Sequence, residues 1–243
     1  MASHDLPLPW HEIDTVLVDM DGTLLDLAFD NFFWLELVPA RYAERRGIGF
    51  EDAHREITER YARFLGRLEW YCVEHWSAEL GLDIVDLKRS HLHLIDYLPG
   101  ATDFLDAVRA AGKRLAIVTN AHPHTIAVKT AATGIDRRVD EILSSHELAA
   151  PKESAAFWEG LARHRPFDPD RTLLVEDSLA VLEAARGHGV RHTVAIRRPD
   201  STRPAREITG FPAVDAIAQL LDPARVPDGA PLAPPALRGR SLV

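Results

Sequence analysis

Four short apolar runs, each ending on polar residues, constrain the fold of this chain more than any other feature. Thr15-Val16-Leu17-Val18 stops at Asp19, and Arg114-Leu115-Ala116-Ile117-Val118 stops at Thr119-Asn120. Arg171-Thr172-Leu173-Leu174-Val175 stops at Glu176-Asp177-Ser178, and His192-Thr193-Val194-Ala195-Ile196 stops at Arg197-Arg198-Pro199. Continuous β-branched runs of this kind read as strands buried on both faces, as in a parallel sheet. Glu141-Ile142-Leu143-Ser144 is a shorter fifth candidate. Between the runs lie helical stretches. One covers 101–111, with Phe104, Leu105 and Val108 on one face and Gly112 to stop it. Another covers 179–188, with Ser178 expected as its N-cap and Gly189 to end it. Strands alternating with helices predict an α/β fold with a parallel sheet flanked by helices. Ligands of such sheets bind beyond the carboxyl ends of the strands. The polar residues ending three of these runs are therefore expected to share one site.

The segment 26–96 breaks the pattern. Ala53, Ile57, Tyr61 and Phe64 or Leu65 keep a helical period, as do Trp70, Val73, Trp76 and Leu80. Pro39 is expected to kink or divide the first helix. Of the 18 aromatic residues in the chain, 11 fall here, which marks a change of composition. The reading is an all-helical cap domain at 26–96 inserted into a core domain made of 1–25 and 97–222. A proline-rich tail at 223–243 is expected to be loosely ordered.

At 243 residues the chain is long enough for such a core and its insertion. Its net charge of -9 leaves no basic face for a nucleic-acid backbone, so no nucleic-acid partner is expected. A phosphorylated ligand would need its charge neutralised locally, by a metal and a few placed cations. Cys72 is the one cysteine, which excludes an internal disulfide and points to a reducing compartment. Residues 1–10 lack the basic and apolar regions of a signal peptide, and no apolar stretch is long enough to span a membrane. A cytoplasmic protein without a membrane partner is expected. The sequence does not specify an oligomeric state.

The chemistry starts at Asp19-Met20-Asp21-Gly22-Thr23. In an extended segment, residues two apart point the same way, so both carboxylates converge. Adjacent anions repel unless a cation lies between them or one is protonated. An oxygen-loving divalent ion such as Mg²⁺ supplies that cation. Gly22 permits a tight exit, and Thr23 is expected to hydrogen-bond back to the loop.

This pentapeptide resembles the first motif of the haloacid dehalogenase superfamily, most of whose members are phosphatases. Thr119 matches the hydroxyl residue of that superfamily's second motif, Lys152 the lysine of its third, and Glu176-Asp177 the acidic pair of its fourth. The match covers about 12–200, and the helical insertion stands where the superfamily carries one type of cap. One departure is that proline precedes the lysine, in Pro151-Lys152-Glu153, where it more often follows. The resemblance implies a Rossmann-like core and a set of roles. Asp19 is the nucleophile, forming an aspartyl-phosphate. Asp21 protonates the leaving oxygen and then takes a proton from water. Thr119, the backbone at Asn120 and Lys152 hold and neutralise the phosphoryl group. Mg²⁺ is held by Asp19, the Asp21 main-chain carbonyl and Asp177, with Glu176 acting through water. Plainer roles stand beside these: Thr119 as a cap for a helix near His122, Lys152 as a surface lysine, Glu176-Asp177 as first-turn charges.

Longer stretches are similar to a narrower group, the bacterial GMP/IMP nucleotidases. They include Leu68-Glu69-Trp70-Tyr71-Cys72, Thr119-Asn120-Ala121-His122-Pro123 and Ala150-Pro151-Lys152-Glu153, the last with the inverted proline. The implied substrate is a small phosphate monoester, a purine nucleotide. Phe32, Trp34 and Trp70 are the cap residues expected to face the base, with Phe33, Tyr71 and Trp76 also available; the bland alternative is that these rings form the cap's own core. Arg41, Arg45 and Arg67 are further possible contacts. His122-Pro123-His124 reads as a helix cap rather than a metal site, and His91 and His93 are expected to diverge on a helix. Competing readings are a phosphatase of sugar phosphates or other small metabolites, a phosphomutase, and a phosphate binder without turnover. A dehalogenase is disfavoured, because a metal-free dehalogenase has no need of Asp21.

Overall fold

The structure, a computed structural model, describes residues 8–221. Its centre is a sheet of six parallel strands: β1 (Thr15–Val18), β2 (Arg114–Thr119), β3 (Glu141–Ser144), β4 (Thr172–Glu176), β5 (His192–Ile196) and β6 (Ala213–Val214). Their order across the sheet is β3-β2-β1-β4-β5-β6. The chain therefore winds one way from β1 to β3 and the other way from β4 to β6. The switch falls between β1 and β4, where Val18 pairs with Val175, and that is where sheets of this order bind ligands. The five expected strands are present within one residue at each end. The sixth, two residues long, is too short to carry a pattern.

Alternation along the strands sends side chains to two separate cores. Val16, Val18, Leu115, Ile117, Leu173, Val175, Val194 and Ile196 pack on one face, with Phe104, Leu105 and Val108 of the helix Ala101–Ala110. Leu17, Ala116, Val118, Leu174 and Ala195 pack on the other, with Phe157, Trp158 and Leu161 of the helix Ala155–His164 and Val181, Leu182 and Ala185 of Leu179–Gly187. The apolar runs of the sequence are continuous because both faces are covered.

In chain order the helices are α1 (Leu27–Phe32), α2 (Val38–Arg46), α3 (Phe50–Ala62), α4 (Val73–Leu80), α5 (Ile84–Arg89), α6 (Ala101–Ala110), α7 (Pro123–Thr133), α8 (Ala155–His164) and α9 (Leu179–Gly187). The first five form the helical insertion between β1 and β2. Its buried rings and aliphatic chains, among them Phe33, Tyr61 and Trp76, continue the first of the two sheet cores. Pro39 is the second residue of α2, and the expected division takes the form of a π-helical turn over Phe33–Leu37. Proline at this position has no N–H for the carbonyl four residues back, so the regular ladder cannot pass through it.

Three local expectations are corrected. Ser178 stands at the N-cap of α9 but makes no side-chain cap; Glu176 Oε1 takes the amides of Asp177 (3.1 Å) and Ser178 (3.0 Å), just ahead of the helix. Thr23 does not bond back to its loop: its Oγ1 is buried without a partner among the described residues. His91 and His93 do not diverge either, because a 3₁₀ turn over Leu92–Leu94 replaces the expected helix and their rings stack at 6.2 Å. The expected tail at 223–243, residue 222 and residues 1–7 lie outside the described residues.

Candidate active site

Asp19 directly follows β1, and its amide donates to Val175 O (2.9 Å), so the β1–β4 pairing sets its position. The chain then turns sharply. Leu24 and Leu25 both donate to Met20 O, and Gly22 donates to Leu25 O. Gly22 has φ +85°, and a Cβ there would lie 2.9 Å from Pro199 Cβ and 3.0 Å from Asp177 Cγ. Glycine is required twice over: for the left-handed backbone and for the close approach of Asp177.

Lys152 reaches the same point from the loop before α8. Its buried Nζ donates to Asp19 Oδ1 (2.5 Å), Glu176 Oε2 (2.7 Å) and Val118 O (3.0 Å), which uses all three of its protons. Its backbone is pinned as well. The amide donates to Asn120 Oδ1 (2.9 Å), and the carbonyl accepts from the buried Trp158 Nε1 (2.8 Å). The inverted Pro151-Lys152 order therefore still delivers the ammonium to Asp19. Asn120 Nδ2 donates to Glu153 Oε2 (3.0 Å), and Tyr71 of the insertion donates to Glu153 Oε1 (2.6 Å). The Asn120 side chain is thus a brace for the lysine loop. Thr119, the last residue of β2, is buried on the cleft, and its Oγ1 accepts from the Ala121 amide (3.0 Å). The helix cap it was weighed against is supplied by His122, whose Nδ1 accepts from the His124 amide (3.3 Å).

Asp19, Glu176 and Asp177 each bring a carboxylate oxygen within 4.8 Å of the others. Burial, reinforced by Glu176, pushes Asp19 up to about 8. Burial pushes Glu176 up to about 7 and Asp177 up to about 6, although Lys152 opposes the first and Arg206 the second. Two buried carboxylates and a part-buried third, faced by Lys152 and, at Asp177, by the exposed Arg206, are short of positive charge, and their hard oxygens suit a divalent ion. The Asp21 carboxylate is not part of this trio.

Asp21 lines the same cleft but is held from another side. Lys129 Nζ, on α7, donates to Asp21 Oδ1 (2.5 Å) and to Asp30 Oδ2 (2.5 Å) of α1. Lys88, on α5, donates to Asp30 Oδ1 (3.0 Å), and its Nζ lies 4.1 Å from the centre of the Phe33 ring. Both lysines are buried. Burial raises the pKa of Asp21 and outweighs Lys129. For Asp30 burial acts in the same sense, but Lys129 and Lys88 together reverse it and hold the carboxyl low. None of Asp30, Lys88 and Lys129 was foreseen as a site residue. Each sits on a helix in an ordinary amphipathic pattern, and nothing local marks it as inward-facing.

These groups surround a cleft of about 370 Å³ between the strand ends and the insertion. Trp34 and Trp70 line it, as do Tyr61, Tyr71 and Trp76. The same rings pack edge to face on one another, Tyr61 on Trp76 at 4.9 Å and on Trp70 at 5.4 Å. They are core and cleft wall at once. Phe32 does not reach the cleft; its ring lies 6.3 Å from His91. Arg41, Arg45 and Arg67 do not line it either. His122 comes near Cys72 and Glu74, within 4.8 Å. Cys72 and His122 are the N-caps of α4 and α7, so two positive helix ends face any cation there. Among the described residues, no helix is long and apolar enough to cross a membrane.

Residues 13–189 match the haloacid dehalogenase-like hydrolase family. The chain is 37% identical over 214 residues to the GMP/IMP nucleotidase YrfG of Escherichia coli (strain K12), covering 88% of this chain and 96% of that protein. It is 31% identical over 198 residues to the phosphoglycolate phosphatase of Nitrosospira multiformis, covering 75% and 82%. The fold superposes on the crystal structure of a HAD phosphatase from Thermococcus onnurineus with a TM-score of 0.71 at 20% identity, over 86% of this chain and 96% of that one. Sheet order, strand-end site and sequence agree: this chain belongs to the haloacid dehalogenase-like hydrolase family and is a phosphatase.

Proposed function

We propose that Asp19 attacks the phosphorus of a bound phosphate monoester, forming an aspartyl-phosphate. The ester P–O bond breaks, and Asp21 delivers a proton to the departing oxygen. Asp21 then takes a proton from the water that attacks the same phosphorus, releasing phosphate and restoring Asp19. The observation that carries this reading is the meeting of Asp19, Lys152, Glu176 and Asp177 at one strand-end point, with Asp21 on the same cleft. Lys152 holds Asp19 in place and offsets its charge as the phosphoryl group arrives. Thr119 and the backbone at Asn120, at the neighbouring strand end, take phosphoryl oxygens in this reading. Asp19, Glu176 and Asp177, with the Asp21 carbonyl, are the residues that would hold Mg²⁺; their donor set fits a hard divalent ion. When bound, it supplies positive charge to the phosphoryl oxygens.

The helical insertion serves in this reading as a cap, and the substrate is a purine 5'-monophosphate, GMP or IMP. The similarity to the nucleotidase, which extends through the insertion, supports this. So does a cleft walled by Trp34 and Trp70, since aromatic faces stack bases. The single cysteine is in keeping with a reducing, cytoplasmic setting. Phosphate release measured across a panel of nucleotides, sugar phosphates and small phosphometabolites tests the assignment. Preference for GMP and IMP is expected. Indifference to both, with turnover of a sugar phosphate, would replace it, and an isomerised product without free phosphate would make the protein a mutase.

A further inference from the structure

Four charges of alternating sign, the lysines buried and the carboxylates part-buried, run from the strand end into the insertion: Asp21, Lys129, Asp30 and Lys88. A buried ammonium is tolerated only when paired. Lys129 finds both of its partners within this row, and one of them is Asp21. The row is not confined to one part of the fold. Asp21 and Lys129 belong to the β1 loop and α7, whereas Asp30 and Lys88 belong to α1 and α5 of the insertion. Asp30 and Lys88 already balance one another within the insertion. Lys129 adds a second buried ammonium, and its charge is balanced by Asp21.

Asp21 Oδ1 is engaged by Lys129, while Oδ2 has no hydrogen-bond partner among the described residues, and the side chain borders the cleft. A carboxyl that gives a proton to a leaving oxygen and then takes one from water has to keep one place through both steps, within hydrogen-bond reach of each oxygen. Met20 and Gly22 on either side fix its backbone but not its carboxyl. We propose that Lys129 is a positioning residue for Asp21, and that Asp30 ties this positioning to the seating of the insertion over the sheet. The proposal rests on Asp21 acting as the acid and base. It makes leaving-group protonation depend on the insertion being in place, while attack by Asp19, held by Lys152 from the opposite side, does not.

The experiment compares two esters on the full chain. One is an alkyl ester, GMP, whose alkoxide leaves badly without a proton; the other is p-nitrophenyl phosphate, whose phenolate leaves without one. If wild type ignores GMP, any nucleoside or sugar phosphate that it does turn over takes its place, so failure of the nucleotide assignment is read separately. The readout is kcat/KM, which reports the steps up to leaving-group departure and not the later hydrolysis of the aspartyl-phosphate that both esters share. Lys129→Met is expected to lower kcat/KM on the alkyl ester about 100-fold, the scale of a general acid, and on p-nitrophenyl phosphate by less than about threefold. Thermal melts guard against misfolding, and Lys129→Arg, which keeps a cation between Asp21 and Asp30, should regain most of the alkyl-ester loss. Asp21→Asn should show the same split as Lys129→Met, and adding Lys129→Met to Asp21→Asn should lower kcat/KM on neither ester further. Equal losses of kcat/KM on both esters in a folded Lys129→Met protein, or a further loss on the Asp21→Asn background, would overturn the role of Lys129. Equal losses of kcat/KM in Asp21→Asn itself would overturn the acid role on which it depends.

Discussion

Lys152 Nζ lies 2.5 Å from Asp19 Oδ1, and the backbone that carries it is fixed at the amide by Asn120 and at the carbonyl by Trp158. Among the described residues the lysine is the one ammonium bonded to Asp19 and Glu176, two of a trio of carboxylates that burial already disfavours as anions. Replacing it by methionine leaves Asp19 and Glu176 unopposed, with Arg206 still beside Asp177. Breaking a buried pair of this kind costs about 3–5 kcal/mol, and removing a charge aimed at the transferring group costs about 10²–10³ in kcat. Lys152→Met is therefore expected to melt well below wild type in metal-free buffer, to regain part of that loss with Mg²⁺, and to regain none of its activity. Thermal melts and steady-state assays on the same samples check this.

The trio also sets a pH dependence. Asp19, Glu176 and Asp177 are pushed up to about 8, about 7 and about 6. A carboxyl whose pKa is higher folded than unfolded binds protons on folding. The metal-free protein therefore loses stability as pH rises from about 4 through these values, and levels off above them. A divalent ion needs the deprotonated set, so its stabilisation grows over the same window. Melting with and without Mg²⁺ should give a small gain at pH 5.5 and a larger one at pH 8. A gain independent of pH would place the ion elsewhere.

Trp70 is half-buried on the cleft wall, whereas Trp76 is buried with its Nε1 on Trp70 O (2.8 Å). Their substitutions should separate binding from stability. Trp70→Leu is expected to raise KM for a purine nucleotide about tenfold, the loss of one stacked base, with kcat within about threefold. Trp76→Leu is expected chiefly to lower the melting temperature, through lost core volume of about 2–4 kcal/mol. Steady-state kinetics with GMP, beside melts of both variants, distinguish the two rings.

Much of this was legible in the sequence because a parallel strand buried on both faces writes itself as an unbroken apolar run. The polar residue where the run stops is then the strand end. Asp19, Thr119 and Glu176-Asp177 were found that way. Lys152 required motif order, since its place before α8 has no pattern of its own. Lys129 and Lys88 were not legible. A lysine on an amphipathic helix reads as solvated, and only the placing of α5 and α7 against α1 turns both inward toward Asp30. Ser178 misled in part: its position at the N-cap was right, but its hydroxyl makes no cap, and the buried Glu176 two residues earlier binds the Asp177 and Ser178 amides that lead into the helix. The aromatic wall was only partly legible. Composition marked the insertion, but it could not separate Phe32, packed on His91, from Trp34 and Trp70 on the cleft.

The proposed chemistry turns on Asp19 forming the bond to phosphorus. Asp19→Asn keeps the shape and the contact with Lys152 while removing the nucleophilic carboxylate. With folding unchanged by circular dichroism and melting, phosphate release from both alkyl and p-nitrophenyl esters should fall by more than about 10³-fold. Retained turnover in a folded Asp19→Asn protein would mean that Asp19 is not the nucleophile.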